Sequence, residues 1–356
     1  MTSVQEEICS FQSLYKAMKK CKKNVMWKGS VAGYIKNGLA NCLKLRNQLL
    51  DGTYKIDQYT VFTLYEPKKR DIVSTRFKDR VFQRSLCDHY LYDTMTKGFI
   101  YDNCACQTNK GVDFAMNRLD AHLHRFYRKS GIDGYVLKCD ISNYFGSTSH
   151  DVAKAAVRKR VDDDWVYEKV CDIVDSFNQG ADPNVGMGLG SQVTQLIQLS
   201  VLDELDHIVK EKIHIKQYIR YMHDFILIHE DREYLKYCLA VIEEHLRGLN
   251  LKLSAKKTQL FPLKQGIKFL GFHFYLTNTG KVIRKITPDN VCNERRKLKK
   301  LFQRVKDGVM SFEDVDCCYT SWKAHLLRGN TYNIIQKTNK YYNDLKEKCK
   351  NEILNG

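Results

Sequence analysis

The sequence lacks the features that mark secreted, membrane-spanning or zinc-stabilised proteins. It has no run of about 18 apolar residues, the length needed to cross a bilayer. The polar, lysine-rich segment 1–28 has no apolar signal region. The thirteen cysteines include no Cys-x-x-Cys pair, so neither a disulfide framework nor a zinc site is indicated. We therefore expect a cytoplasmic protein with reduced thiols and no membrane partner.

Negative charge is also scarce. Lys and Arg number 58 and Asp and Glu 41, which gives a formal net charge of +17. The last segment, 281–356, holds 17 basic and 9 acidic residues. A polyanionic partner is favoured by this balance, although a basic surface also serves solubility. With 356 residues, the chain is long enough for two or three domains.

Two positions with aspartate side chains are the main indication of the chemistry of this protein. An apolar, β-prone run at 135–141 contains Asp140 near its end, and the runs 215–221 and 225–229 form a hairpin pattern joined by Met222-His223-Asp224. An aspartate at a strand end is often only a turn former. If the strands are adjacent, however, these side chains converge and can share divalent cations. Mg²⁺ prefers such oxygen ligands, and a two-metal site catalyses in-line phosphoryl transfer.

Seven segments, taken in order, resemble the motifs of reverse transcriptases. The pattern is closest to bacterial enzymes of diversity-generating retroelements and to related group II intron-like and antiphage-defence enzymes. In particular, Thr194-Gln195 resembles the Ser-Gln ending of a motif in retroelement enzymes, whereas Gln107 departs from an arginine common in relatives. The matching segments are 65–72, 76–80, 109–111, 138–145, 186–195, 221–224 and 267–274.

The resemblance implies an α+β fold, a right-hand polymerase with fingers, an antiparallel-sheet palm and a helical thumb. N-terminal helices and fingers are expected at 1–134, the palm at 135–280 with part of the fingers inserted at about 152–185, and the thumb at 281–356. The implied function is RNA-directed DNA polymerase, making cDNA by two-metal phosphoryl transfer in a bacterial retroelement or antiphage-defence system. Its expected partners are an RNA template, a DNA or RNA primer, dNTPs, a structured non-coding RNA and an accessory protein.

The resemblance also assigns roles to individual residues. The implied cofactor is Mg²⁺ or Mn²⁺, bound by Asp140, Asp224 and the Ile141 carbonyl. Phe145 takes the place of the steric gate that excludes a ribose 2′-hydroxyl, although by itself it reads as an ordinary core aromatic. The catalytic positions are Asp140, His223 and Asp224; the nucleotide- or template-binding positions are Lys68, Arg70, Arg76, Lys110, Phe145, Gln195 and Lys256; the primer grip is Phe269, Leu270 and Gly271.

His223 departs from the family pattern. In Tyr-x-Asp-Asp the first aspartate binds metal directly, and here an imidazole replaces it. Imidazole suits zinc, copper or nickel better than magnesium, and the exchange removes one negative charge. A loss of about 4 kcal/mol of transition-state stabilisation would slow the reaction roughly a thousandfold. Three alternatives stay open: altered metal preference, a catalytically impaired RNA-binding protein, or a substitution introduced for study. A template-independent nucleotidyltransferase is a further rival.

Local patterns predict several elements outside these motifs. Asp231 is expected to cap a helix that Gly248 closes, and Thr287-Pro288 to begin another. Helices are also predicted at 4–50, 76–92 and 196–209.

Overall fold

The computed structural model describes residues 3–65, 70–178 and 182–354, and its fold is α+β, as predicted. The expected N-terminal helical region consists of four helices. Ser3 begins the first with a capping box to Glu6, which satisfies two backbone amides at the helix start. The four helices are α1 (Val4–Cys9), α2 (Phe11–Cys21), α3 (Gly29–Lys36) and α4 (Gly38–Leu50).

An antiparallel hairpin follows the N-terminal helices. Strands β1 (Thr60–Leu64) and β2 (Arg70–Ser74) pair in register from Thr60–Ser74 to Leu64–Arg70. Next comes the helix predicted at 76–92. It is α5 (Phe77–Leu86), which passes through a π-helical turn at Cys87–Leu91 into α6 (Tyr92–Thr96). The π-helical turn adds a local widening that helical periodicity does not reveal.

A four-stranded sheet carries the predicted carboxylate strand and hairpin. Its order is β4-β5-β3-β6, so the predicted strand β3 lies beside the second strand of the hairpin. Burial of β5 is nearly continuous at Phe225–Ile228, which explains its apolar sequence. The strands are β3 (Tyr135–Asp140), β4 (Gln217–Tyr221), β5 (Asp224–His229) and β6 (Gln259–Pro262).

Among the residues that the structure describes, seven helices lie between or next to these strands along the sequence. The prediction of a single helix at 196–209 is wrong. Leu202 leaves helical geometry (φ −100°, ψ 7°) and divides the segment into two helices. A π-helical turn at Ile208–Lys212 then ends the segment. Asp231 caps α13 as predicted, since its Oδ1 accepts from the amides of Glu233 and Tyr234. The helices are α7 (Val112–Ser130), α8 (Tyr144–Ser147), α9 (His150–Arg158), α10 (Asp164–Asp175), α11 (Gln192–Val201), α12 (Asp203–His207) and α13 (Arg232–Gly248).

The C-terminal part combines a small antiparallel sheet with three helices. Strands β7 (Ile267–Phe269), β8 (Phe272–Leu276) and β9 (Val282–Ile286) pair in that order. Helices α14 (Pro288–Lys306), α15 (Phe312–Leu326) and α16 (Tyr332–Leu354) follow. They share a core in which Tyr319 and Tyr342 stack with ring centroids 4.2 Å apart.

The start of α14 agrees with the sequence in position but not in capping chemistry. Thr287 is the N-cap residue and Pro288 occupies the first turn, as expected. The Thr287 side chain, however, makes no capping hydrogen bond. Pro288 at the first helical position has no amide proton, so the start of the helix has one backbone donor fewer to satisfy.

The chain divides into two compact units. The first contains Met1–Gly111, Lys138–Ile226 and Lys236–Thr258. The second contains Val112–Leu137, Leu227–Leu235 and Gln259–Gly356. All thirteen cysteines are free thiols and seven are buried, which agrees with their interpretation as reduced, mostly core residues. In the described ranges, no helix combines the length and apolar content that crossing a bilayer requires.

The β7–β8 turn generates a stability prediction. Leu270 and Gly271 both have positive φ (47° and 87°), and a Cβ at Gly271 would lie 3.1 Å from His325 Nε2. Gly271→Ala should therefore lower the free energy of unfolding by about 1–3 kcal/mol, measured by urea denaturation. The matched control is Gly248→Ala, where nothing lies within 4 Å of the added Cβ. Equal stability of the two variants would contradict the prediction.

Candidate active site

The end of β3 fixes Asp140 between two neighbouring backbone segments. The Asp140 carbonyl accepts from the Ser254 amide at 2.7 Å, and the Ser142 amide donates to the Lys252 carbonyl at 2.9 Å. Between them, the Ile141 amide points the other way and donates to the His223 carbonyl at 3.3 Å. In an extended residue the amide and carbonyl face the same edge, so the Ile141 carbonyl also faces the hairpin.

The β4–β5 turn brings His223 to Asp140. The turn has two residues, and Met222 adopts a left-handed conformation (φ 56°) that such tight turns require. His223 Nε2 lies 4.0 Å from Asp140 Oδ2. The Asp140 side chain is 10% exposed and that of His223 is 35% exposed. The two positions that the sequence predicts to converge therefore do so.

A buried ion pair next to this turn fixes its backbone. Arg220 is fully buried within β4, and its Nε donates to Asp206 Oδ1 at 2.7 Å. Its Nη1 donates to the Met222 carbonyl at 3.0 Å, inside the turn itself. Desolvation lowers the pKa of the Arg220 guanidinium, but the Asp206 carboxylate more than offsets this and leaves the pKa above its usual value. This pair was not expected from the sequence, where Arg220 lies in an apolar β-type run.

Each of the two predicted carboxylates, Asp140 and Asp224, contacts a lysine. Lys257 Nζ lies 2.7 Å from Asp140 Oδ1, and Lys138 Nζ lies 3.2 Å from Asp224 Oδ2. Neither lysine is among the predicted site residues. The predicted Lys256 is exposed, and its neighbour Lys257 is the lysine that reaches the carboxylate.

The environment of Asp224 favours its neutral form. Burial raises the pKa of this carboxyl from 3.8 to about 6, and the positive charge of Lys138 opposes the shift. Its second oxygen, Oδ1, is buried and has no hydrogen-bond partner within the described part of the chain. Such an oxygen is costly to leave unpaired and suits a further ligand.

The candidate metal ligands are oxygens, the kind of donor that a divalent cation such as Mg²⁺ prefers. They are the Asp140 carboxylate, the Asp224 Oδ1 atom and the Ile141 carbonyl. Across residues 3–65, 70–178 and 182–354, no group of three or more His, Cys, Asp or Glu residues is placed to hold a metal. A cation bound here would take its remaining ligands from water or from nucleotide phosphates, which is usual for Mg²⁺.

The predicted nucleotide-binding segments lie in the same compact unit as these carboxylates. The Phe145 carbonyl accepts from the Met187 amide at 2.7 Å, so the glycine-rich stretch pairs with the segment after Asp140. Gln195 lies half-buried in the first turn of α11. The start of this helix is tied to α5, since Ser191 Oγ donates to Gln83 Oε1 at 2.7 Å.

The basic positions predicted to contact phosphates have varied environments. Arg76 is exposed, and its Nε donates to the Gln58 carbonyl at 2.9 Å. Lys110 Nζ donates to the Asn103 carbonyl at 3.0 Å and to the Tyr101 carbonyl at 3.1 Å. Lys68 lies outside the described residues, and for Arg70 only the backbone, in β2, is described.

The predicted primer grip forms the expected tight hairpin. Phe269 and Phe272 are partners across the turn, and both side chains are buried. Leu270 and Gly271 form the turn itself. This hairpin belongs to the second compact unit.

Comparison with known proteins gives a family and a fold. A family model described as reverse transcriptase (RNA-dependent DNA polymerase) matches residues 67–274, more than half of the chain. No curated protein matches. Among solved structures, telomerase from Candida albicans in complex with a TWJ fragment of telomeric RNA is similar, with a TM-score of 0.51 and 12% identity over 70% of this chain and 49% of that chain. Apo telomerase from Candida tropicalis has a TM-score of 0.49 and 11% identity over 65% and 49%. The chain thus spans about half the length of these telomerase chains.

The buried ion pair should be expensive to break. Arg220→Met leaves the Asp206 carboxylate buried without its counter-charge, so we expect a loss of about 3–5 kcal/mol in the free energy of unfolding by urea. The double variant Arg220→Met/Asp206→Leu should recover part of that loss. As a control, Lys159→Met breaks the exposed Lys159–Glu204 pair (65% and 55% exposed) and should cost less than about 1 kcal/mol. A single variant as stable as this control would refute the role given to Arg220.

Asp224 should make the folded state less stable as pH rises. Its pKa is higher in the folded state than in the unfolded state, so its ionisation opposes folding, fully above about pH 6 and progressively less towards pH 4. The stability of Asp224→Asn minus that of the unsubstituted protein should therefore be larger at pH 8 than at pH 4.5, as measured by urea unfolding. Lys346 holds the pKa of Asp316 below its usual value. The stability difference between Asp316→Asn and the unsubstituted protein should consequently be nearly the same at both pH values. A stability difference for Asp224→Asn that is also independent of pH would contradict the prediction.

Proposed function

The chain belongs to the reverse transcriptase family, and from that premise we propose that it is an RNA-directed DNA polymerase that copies an RNA template into cDNA. The observation that carries the proposal is the convergence of Asp140 with the β4–β5 turn, where His223 Nε2 lies 4.0 Å from Asp140 Oδ2. A basic chain with a net charge of +17 suits the polyanionic template and primer.

Asp140 is the proposed principal ligand of the catalytic metal, Mg²⁺ or Mn²⁺, with Asp224 Oδ1 and the Ile141 carbonyl supplying further oxygens. Divalent cations held by these residues would supply Lewis-acid chemistry, polarising the primer 3′-hydroxyl and stabilising the charge of the leaving pyrophosphate. Lys257 holds Asp140 Oδ1 at 2.7 Å, so a cation reaches this oxygen only when the lysine moves away, whereas Oδ2 lies on the side of His223. Lys138 offsets the charge of Asp224 at 3.2 Å and keeps that carboxyl in place.

The remaining roles extend the proposal along the chain. Fingers at 1–134, a palm at 135–280 and a thumb at 281–356 are the proposed domains, with residues 152–185 a possible fingers insertion. Phe145 would exclude the ribose 2′-hydroxyl, and Gln195 would contact the pair of template and nucleotide. The phosphate-contacting positions are Lys68, Arg70, Arg76, Lys110 and Lys256, and the primer grip is Phe269, Leu270 and Gly271.

The proposed setting is a bacterial diversity-generating retroelement or an antiphage-defence system in the cytoplasm. The Thr194-Gln195 ending, which lies in the first turn of α11, supports this assignment. A structured non-coding RNA and an accessory protein are the proposed additional partners.

A second candidate function is a catalytically impaired protein that binds RNA on the polymerase fold. The specific observation in its favour is the pairing of both catalytic carboxylates with lysines, next to a histidine in place of an aspartate. Since each lysine already neutralises one carboxylate, the attraction of this site for a dication is reduced.

Primer extension separates the two candidates. We expect the chain to extend a DNA primer on an RNA template with dNTPs in Mg²⁺ or Mn²⁺, analysed on a denaturing gel. Asp140→Asn, which removes the principal carboxylate charge, should abolish extension. Product formed without template would indicate a template-independent transferase, and no product with either metal would favour the RNA-binding candidate.

Restoring the family's aspartate should raise Mg²⁺-dependent activity. His223→Asp adds a carboxylate beside Asp140, and a gain of up to about a thousandfold in rate corresponds to about 4 kcal/mol of transition-state stabilisation. His223→Asn is the matched control, because it removes the imidazole without adding charge, and it should show no such gain. An unchanged rate in His223→Asp would show that position 223 does not contact the metal.

A further inference from the structure

The turn at His223 carries a nitrogen donor beside a carboxylate, and the geometry points to a mixed metal site. We propose that His223 Nε2 and Asp140 Oδ2 bind one divalent cation together and that the site selects first-row transition-metal ions over Mg²⁺. The inference rests on the proposed function, because it assigns the cation to the same carboxylate. It concerns the identity of the cation rather than the reaction.

The spacing of the two atoms is close to that required by a shared ion. Ligand atoms about 2.1 Å from one tetrahedral metal lie about 3.4 Å apart. His223 Nε2 and Asp140 Oδ2 are 4.0 Å apart, so a small movement of the two side chains brings them to that spacing. The His223 side chain is 35% exposed and is therefore accessible from solvent.

The imidazole is held in place by buried neighbours. The backbone of the turn is fixed on both sides, since the Met222 carbonyl accepts from Arg220 and the His223 carbonyl accepts from the Ile141 amide. The Tyr144 ring lies 5.8 Å from the His223 ring, centroid to centroid. Tyr144 is itself buried and donates to the Gln198 carbonyl at 2.6 Å. A donor held this way loses little entropy when it binds metal.

The donor chemistry then sets the selectivity. Mg²⁺ strongly prefers oxygen ligands, whereas imidazole nitrogen binds the first-row transition-metal dications better, with Mn²⁺ the weakest of that series. Any site follows the general affinity order of these metals, so the inference lies in the difference that His223 makes. Replacing its nitrogen by a carboxylate should shift the preference back towards Mg²⁺.

Lys257 affects all of these cations alike. Its ammonium occupies Asp140 Oδ1, whereas the proposed shared ion lies at Oδ2. Removing the lysine charge should strengthen the binding of every dication by a similar factor. The ratio of affinities therefore reports on His223, and the absolute affinity reports on Lys257.

The test uses the full chain, stripped of metal, with Mn²⁺ and Mg²⁺ as probes. Mn²⁺ binding is followed by the loss of the free-ion electron paramagnetic resonance signal, and Mg²⁺ by competition. Pulsed measurements on bound Mn²⁺ detect a directly coordinated ¹⁴N nucleus. We expect a ¹⁴N signal in the unsubstituted protein, its loss in His223→Asp, and a fall of at least about tenfold in the Mn²⁺ over Mg²⁺ affinity ratio in that variant.

Three control variants make the result specific. His229→Asn removes an imidazole at the other end of β5 and should keep both the ¹⁴N signal and the ratio. Cys106→Ser removes the exposed thiol near Met222 and should also change neither. Lys257→Met should strengthen both metals and leave the ratio unchanged.

The inference is overturned by any of three results: no Mn²⁺ binding, a ¹⁴N signal that persists in His223→Asp, or an unchanged affinity ratio. Because no measurement in this set requires nucleotide addition, a chain that binds Mn²⁺ through His223 and fails in primer extension would overturn the proposed function alone. Conversely, extension in Mg²⁺ by a chain without the ¹⁴N signal would overturn only the present inference.

Discussion

The candidate active site depends on an ion pair that is fully buried. Arg220 and Asp206 are both fully buried, and the guanidinium joins three separate parts of the first compact unit: the Asp206 carboxylate, the Leu199 carbonyl of α11 and the Met222 carbonyl of the turn. Removing two charges from water is costly, so such a pair is seldom retained for stability alone. Here the pair has a positioning role, because the same guanidinium that neutralises Asp206 fixes the backbone that carries His223.

The charges near this pair are balanced in number. Two carboxylates contact two lysines, Asp140 with Lys257 and Asp224 with Lys138, and burial raises the pKa of Asp224. An aspartate at position 223 would add a third negative charge to this arrangement, whereas histidine does not. Histidine at position 223 and the two lysine contacts are therefore consistent with each other.

Much of the fold follows from local sequence, and the site follows only partly. Both hairpins, at 221–224 and 267–274, were predictable because β-type runs flank short turns. Arg220 was not recognisable, since a charged residue in an apolar run has no visible partner and Asp206 lies on a helix fourteen positions earlier. The choice between Lys256 and Lys257 was equally inaccessible. The segment around them is irregular, and periodicity does not indicate which side chain faces Asp140. The division of the helix at 196–209 depends on the backbone of one residue, Leu202.

The contact between Lys257 and Asp140 also has a kinetic meaning. The Lys257 side chain is 51% exposed, and its chain segment is anchored independently by the bond from the Ser254 amide to the Asp140 carbonyl. Lys257 can therefore leave the carboxylate by rotation of its own side chain, without displacement of the backbone. Exposed side chains change rotamer within picoseconds to nanoseconds. Access of a cation to Asp140 Oδ1 is consequently gated on a timescale far shorter than that of any loop or domain movement.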